Sequence, residues 1–135
     1  MSFTDTLAEL PLFSEVSRSE LAVIRRHLTL LPVSAGRVLV EEGARGDQFM
    51  IIARGEATVS QGGRTIATLE RGDLVGEMAL LDGGLGRRNA TVTTRTDAMV
   101  YAGTPAEFRR ILEAAPSVAR KVRDTAATRE LGRAA

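Results

Sequence analysis

The sequence predicts a mainly β fold of the α+β class, in which a β-roll of the jelly-roll type carries helices at both ends of the chain. Residues 32–102 hold six short β-rich runs with glycines between them at regular intervals, which is typical of a sandwich or barrel. Helix-start signals, followed by apolar residues at helical spacing, occur on either side of this region. With 135 residues, of which 44% are hydrophobic, the chain suits one domain with one sizeable core.

Residues 1–31 are predicted to form the N-terminal helices. A short helical turn is expected over residues 4–10, where Pro11 ends it. Residues 17–20 have the form of a capping box, in which the Ser17 side chain caps a helix and Glu20 reaches back. The amphipathic helix that follows is expected to run to about His27, with an apolar face made by Leu21, Ile24 and Leu28.

The β region is predicted to extend from residue 32 to residue 102. Gly62 and Gly63, between two of its runs, are a signal for a tight hairpin. The runs themselves cover residues 38–40, 49–52, 57–59, 66–69, 90–93 and 99–101.

Helical signals return over residues 103–135. A second capping box at residues 104–107, with a proline at the favoured first helical position, opens one helix. A last helix is expected to begin at Pro116 and to end at Gly132. The apolar faces of these two helices are expected to contain Phe108, Ile111 and Leu112, and Val118 and Val122.

Composition and charge exclude several classes of function. A net charge of +1, with basic residues scattered among acidic ones, provides no basic stripe for nucleic acid. The absence of cysteine excludes disulfides and thiolate chemistry, and the single histidine, His27, excludes a His-rich metal centre, so we expect no enzyme. Charged residues among the first twenty argue against a secretory signal or a membrane span, and a cytoplasmic protein is expected.

Residues 76–81 (GEMALL), with residues 88–92 (RNATV) after a glycine-rich loop, form the candidate ligand site. The backbone amides of Met78 and Ala79, at the start of a short helix, suit the binding of an anion, and Gly76 lets the backbone approach that anion closely.

Two charged side chains complete the candidate site. Arg88 offers a planar fork of donors for two phosphate oxygens, and Glu77 suits a ribose 2′-hydroxyl. This set predicts a small ligand with one phosphate charge and one ribose hydroxyl. A surface ion pair between Glu77 and Arg88 is the alternative.

The same residues resemble the phosphate-binding cassette of cyclic nucleotide-binding domains, in which G-E-x-A-L is followed by R-x-A-T-V. Residues 35–43, 46–56 and 70–77 resemble the glycine-containing turns that precede this cassette in the family. The resemblance covers almost the whole chain and implies a single domain over residues 1–135. In it, N-terminal helices (1–31) precede an eight-stranded β-roll (32–102) with the cassette at 76–92, and C-terminal lid or hinge helices (103–135) follow.

The resemblance also implies a role for each residue of the cassette. Glu77 is expected to hold the ribose 2′-hydroxyl, and Arg88 an equatorial phosphate oxygen. The backbone amides of Met78 and Ala79 are expected to cradle the phosphate, next to Gly76.

Two further positions bear on the base of the nucleotide. Val59 is expected to pack on the purine, with plain core packing as the alternative. Asn89 lies where relatives often carry Thr, Ser or Ala, and a hydroxyl there accompanies guanine contact in some members. An asparagine at this position is compatible with either cAMP or cGMP as the ligand. cAMP is favoured only because it is the more frequent ligand in the family.

The loop over residues 82–87 departs from the family pattern. It is longer than usual, and the customary proline before the arginine is absent. Of the pair Arg87 and Arg88, alignment on residues 90–92 selects Arg88 and leaves Arg87 as a surface charge. Three glycines make this loop costly to order, so we expect weaker binding or a loop that closes only on the ligand.

These inferences favour a receptor for a cyclic nucleotide, cAMP or alternatively cGMP, that uses no cofactor. In the family the final helix swings over the base as a lid, and Leu131 and Arg123 are the candidates here for the capping residue. Such a receptor is expected to signal through an unidentified protein partner, as a monomer or homodimer, without nucleic acid or membrane. The alternative function is a degenerate β-roll scaffold for protein interactions that has lost ligand binding.

Overall fold

The computed structural model describes residues 7–45, 48–76 and 88–134, with the side chains of the last helix described as far as Thr128. Its eight strands are β1 (Thr29–Val33), β2 (Val38–Val40), β3 (Phe49–Arg54), β4 (Ala57–Gln61), β5 (Arg64–Leu69), β6 (Leu74–Val75), β7 (Thr91–Thr94) and β8 (Ala98–Gly103). They form two antiparallel sheets of four strands. Sheet I has the order β1-β8-β3-β6, and sheet II the order β2-β7-β4-β5. The predicted β-roll is confirmed.

Two strands were not predicted from the sequence. β1 begins at Thr29, before the predicted start of the β region at residue 32, and contains Pro32. Proline is tolerated there because β1 lies at the edge of sheet I and pairs on one side with β8. β6 has two residues, which are too few to show the alternation of a strand. Five of the six predicted runs lie entirely in strands, and the run over residues 90–93 begins one residue before β7. β4 and β5 form the predicted hairpin at Gly62 and Gly63.

The apolar side chains form two cores, one on each face of sheet I. The alternation of side chains along β3 explains this division, since every residue of this strand except Arg54 is buried. Phe49 and Ile51 face the helices and belong to the first core, which also contains Ile24, Phe108 and Val118. Met50 and Ile52 face sheet II and belong to the second core, with Val75, Val92 and Val100.

The helices are α1 (Arg18–Arg26), α2 (Pro105–Ala114) and α3 (Pro116–Ala134). Both predicted capping boxes are present, at Ser17 with Glu20 and at Thr104 with Glu107. The expected end of the last helix at Gly132 is wrong, because α3 continues to Ala134. A glycine costs a helix about 1 kcal/mol relative to alanine, which weakens the helix without ending it.

The N-terminal segment packs against the helices in the helix-side core. Residues 7–9 are helical and this turn ends before Pro11, as predicted, while residues 4–6 of the predicted turn lie outside the described residues. The chain then forms a 3-10 turn over Pro11–Phe13, which the sequence pattern did not predict. Leu12 and Phe13 are buried in this turn, so core packing accounts for it.

Candidate functional site

The structure describes part of the predicted site. The described members are Gly76, Arg88, Asn89 and Val59. The members outside the described residues are Glu77, Met78 and Ala79, as is Arg87 with the rest of the glycine-rich loop. The geometry is therefore known for the arginine end of the site.

Arg88 lies buried between the ends of two paired strands, with 7% of the residue exposed. Its Nη1 donates a hydrogen bond to the carbonyl oxygen of Gly76 at 2.9 Å, and its Nη2 donates to the carbonyl oxygen of Gln48. Gly76 follows β6 and Gln48 precedes β3, and these strands pair within sheet I. One side chain thus joins two chain segments and holds a permanent positive charge between them.

The backbone of Arg88 is held from the other side. Its N–H donates to the carbonyl oxygen of Ala44 at 2.7 Å, and its own carbonyl oxygen accepts from the N–H of Gly43 at 2.9 Å. Gly43 has a φ of +83°, in the left-handed region that favours glycine. The loop after β2 therefore fixes the main chain from which the guanidinium extends.

Gly76 meets two requirements at once. Its φ of +86° is one that side chains with a Cβ rarely adopt. A Cβ at this position would lie 2.0 Å from Nη1 of Arg88, far inside van der Waals contact. The guanidinium can lie against the main chain here because residue 76 has no side chain.

Asn89 and Val59 lie in different surroundings. Asn89 is exposed, and its carbonyl oxygen accepts a hydrogen bond from Nε2 of Gln61 at 2.9 Å. Val59 is half-buried on β4, opposite Val92 of β7, and packs against the core between the sheets. Core packing therefore accounts for the described contacts of Val59, and its contact with a purine stays a prediction.

The arrangement suits the binding of an anion. A buried guanidinium attracts negative charge more strongly than an exposed one, because water screens it less. Its planar fork matches the oxygens of a phosphate. Among the described residues there is no group of three or more His, Cys, Asp or Glu side chains that would hold a metal ion. His27 is the C-cap residue of α1.

Sequence reasoning missed the groups that hold Arg88 and Asn89. Gln48 and Ala44 contribute carbonyl oxygens, which every residue has, so their side chains carry no signal. Gln61 acts through its side chain, but it stands 28 positions before Asn89 in the chain. The one available signal was Gly43, whose residue type suits a turn with positive φ.

Comparison with known protein families matches residues 30–115 to the cyclic nucleotide-binding domain. A cyclic nucleotide-gated potassium channel of Rhizobium etli is 32% identical over 126 residues, which are 93% of this chain and 35% of the channel. A cAMP-dependent protein kinase regulatory subunit of Yarrowia lipolytica is 36% identical over 108 residues, which are 78% of this chain and 28% of the subunit. The chain thus spans roughly a third of the length of these curated relatives. In the described part of the chain, every helix is too short or too polar to cross a bilayer.

A solved structure described as Sp-2Cl-cAMPS bound to PKAR CBD2 superposes on this chain with a TM-score of 0.79 at 25% identity. The superposition covers 96% of this chain and 89% of that one. The family match at residues 30–115 takes in all eight strands except Thr29, and it includes Gly76 and Arg88. The chain belongs to the cyclic nucleotide-binding domain family.

Proposed function

We propose that this chain is a cytoplasmic receptor domain that binds cAMP and passes the binding event to a partner protein through its C-terminal helices. The observation that carries the proposal is the buried guanidinium of Arg88, held by the carbonyl oxygens of Gly76 and Gln48. Because these two hydrogen bonds already orient the guanidinium, Arg88 loses little side-chain entropy when it binds a phosphate. The kinase relative is a regulatory subunit of a cAMP-dependent enzyme, and the superposed structure is bound to Sp-2Cl-cAMPS, a cAMP analogue.

Each residue of the cassette has a separate task in this proposal. Arg88 pairs with an equatorial phosphate oxygen, and the amides of Met78 and Ala79 hold the remaining phosphate oxygens. Glu77 accepts a hydrogen bond from the ribose 2′-hydroxyl. The positive charge of Arg88 offsets the repulsion between the Glu77 carboxylate and the phosphate.

Val59 and Asn89 contact the base. Val59 is half-buried, so part of its side chain is accessible for packing on a purine. The exposed Asn89 offers an amide donor and a carbonyl acceptor. cGMP is the alternative ligand, since these two groups match either purine.

The C-terminal helices carry the signal. α3 packs into the helix-side core through Val118 and Val122. A ligand shifts a conformational equilibrium only by its differential affinity for the two states. We place that difference in contacts between the base and the later part of α3, where Leu131 and Arg123 are the candidate capping residues.

Replacing Arg88 tests the proposal most directly. Arg88→Ala is expected to lower the affinity for cAMP about a hundredfold or more. Removing one partner of a buried charge pair costs roughly 3–5 kcal/mol, and each 1.4 kcal/mol or so is tenfold in affinity. Isothermal titration calorimetry of wild type and variant measures the difference.

Arg87→Ala is the matched control, because it removes the same charge one residue away and is expected to bind nearly as wild type. Arg88→Ala also leaves the carbonyls of Gly76 and Gln48 without this donor, so circular dichroism must show that the variant is folded at the titration temperature. A folded Arg88→Ala variant with wild-type affinity for cAMP would contradict the proposal.

A further inference from the structure

The tip of the hairpin between β4 and β5 is fastened to the main chain next to the candidate site. Gly62 and Gly63 turn the chain tightly, with φ values of +56° and +79°. Nε2 of Gln61 donates to the carbonyl oxygen of Asn89 at 2.9 Å, and the N–H of Gly62 donates to Oε1 of Glu42 at 3.0 Å. The hairpin tip is thus fixed at two points, one of which is the residue predicted to contact the base.

Hydrogen bonds hold both peptide groups that flank the Cα atom of Asn89. The preceding peptide is held at the carbonyl oxygen of Arg88, which accepts from the N–H of Gly43 at 2.9 Å. The following peptide is held at the carbonyl oxygen of Asn89 by Gln61. Because a peptide group is planar, restraining both planes limits φ and ψ of the residue between them, and with them the direction of its Cα–Cβ bond.

The side chain of Asn89 is available for a ligand. It is exposed, and no residue in the described part of the chain forms a hydrogen bond with its amide group. An amide donor and acceptor on a restrained Cα–Cβ bond can distinguish adenine from guanine, since adenine presents an amino donor where guanine presents a carbonyl acceptor.

We propose that Gln61 is a positioning residue, which acts through Asn89 to set the affinity of the site for the base of the nucleotide. This inference rests on the proposed function, since Asn89 contacts a base only if the site binds a cyclic nucleotide. Without the amide donor of residue 61, the peptide after Asn89 loses the hydrogen bond that restrains its orientation. The Asn89 side chain then takes several directions, and fewer of the molecules are ready to bind.

The test removes the donor and keeps the length of the side chain. Gln61→Met is expected to lower the affinity for the preferred nucleotide about three- to tenfold, as for the loss of one hydrogen bond. Calorimetric titration with cAMP and with cGMP gives both affinities and their ratio. Thermal unfolding is expected to change little, because the bond between Gln61 and Asn89 is exposed.

Arg64→Gln is the matched control. Arg64 pairs with Gln61 across the hairpin tip and is exposed, and its side chain forms no hydrogen bond or ion pair within the described residues. Its change of charge acts equally on cAMP and cGMP, which carry the same charge. The ratio of the two affinities is therefore expected to stay at its wild-type value.

A double-mutant cycle separates positioning from a purely structural role. If Gln61 acts through Asn89, then Gln61→Met has no further effect on affinity in an Asn89→Ala background. If the wild type binds a cyclic nucleotide but Gln61→Met binds equally well, or loses the same factor in both backgrounds, only this inference is overturned. If the wild type binds neither nucleotide at millimolar concentration, the proposed function fails and this inference falls with it.

Discussion

At the scale of single residues, Gly76 and Arg88 depend on each other. Gly76 has a positive φ, and its missing side chain leaves the space that Nη1 of Arg88 occupies. Gly36 has nearly the same φ, +82°, but a Cβ there would have no atom within 4 Å. Both glycines therefore have a positive φ that disfavours other residues. Only at Gly76 does a neighbouring side chain, that of Arg88, occupy the place of a Cβ.

This comparison separates backbone strain from the loss of the arginine position. Gly76→Ala and Gly36→Ala are both expected to lose roughly 1–2 kcal/mol of stability from the left-handed backbone. Gly76→Ala is expected to lose more, and to lose cAMP affinity as well, because the new Cβ displaces the guanidinium. Urea unfolding and calorimetric titration measure the two effects. Equal losses in the two variants would show that the space at residue 76 is not needed.

At the scale of elements, α3 is tied to the N-terminal segment by charged side chains. Nζ of Lys121 donates to the carbonyl oxygen of Pro11 at 2.9 Å and to Oγ of Ser14 at 2.7 Å. Glu15 lies 3.1 Å from Nζ of Lys121 and 3.3 Å from Nη2 of Arg120. The hydrogen bond and the charge of Lys121, and then the charge of Arg120, lower the pKa of Glu15 from its ordinary value of 4.5.

The direction of this shift predicts how pH acts on the contact. A carboxyl whose pKa is lower in the folded chain stabilises the fold above about pH 4.5, and this contribution disappears as the pH falls through the folded-state pKa. Glu15→Gln is therefore expected to lower the thermal midpoint slightly at pH 7 and to approach wild type as the pH falls below the folded-state pKa of Glu15. The effect is small and sensitive to salt, because the Glu15 side chain is 54% exposed.

Glu113→Gln serves as the control for that measurement. Glu113 is an exposed residue of α2 that forms no ion pair among the residues the structure describes. Its variant is expected to keep nearly the wild-type midpoint at both pH values. A Glu15→Gln variant that differs from wild type equally at pH 7 and at low pH would argue against the ion pair as the cause.

At the scale of the whole molecule, the described part of the candidate site lies where chain segments of sheet I and sheet II meet. Sheet I separates the helix-side core from the core between the sheets, and β3 contributes to both. Arg88 bonds to the residue before β3 and to the residue after β6, both in sheet I, while β7, which follows Arg88, belongs to sheet II. A ligand held by this arginine would therefore be linked through it to both sheets, and we expect it to stabilise the molecule as a unit.

Thermal unfolding in the presence of nucleotide tests this expectation. A ligand present at 100 times its dissociation constant adds about 2.7 kcal/mol to the stability of the folded state. We expect cAMP to raise the thermal midpoint by several degrees in the wild type and not in Arg88→Ala. If neither cAMP nor cGMP changes the wild-type midpoint at millimolar concentration, that result contradicts the receptor and favours the alternative, a scaffold for protein interactions.

Local signals predicted most of the elements. The capping boxes at Ser17 and Thr104 and the hairpin at Gly62 were readable because each depends on a few consecutive residues. β1 and β6 were missed because pairing with neighbouring strands forms them, with a proline in one and two residues in the other. The roles proposed for Glu77, Met78 and Ala79 stay predictions from the sequence.

By itself, the sequence determined the β-roll with its flanking helices and the residue types of the cassette, because the spacing of glycines and apolar residues sets local conformation. Only the tertiary structure decided which groups surround Arg88 and Asn89. Gln48 is 40 positions from Arg88, and Gln61 is 28 positions from Asn89. Such contacts depend on how the two sheets and their loops pack together. Every residue type has a backbone carbonyl, so the sequence does not show which carbonyl accepts a hydrogen bond.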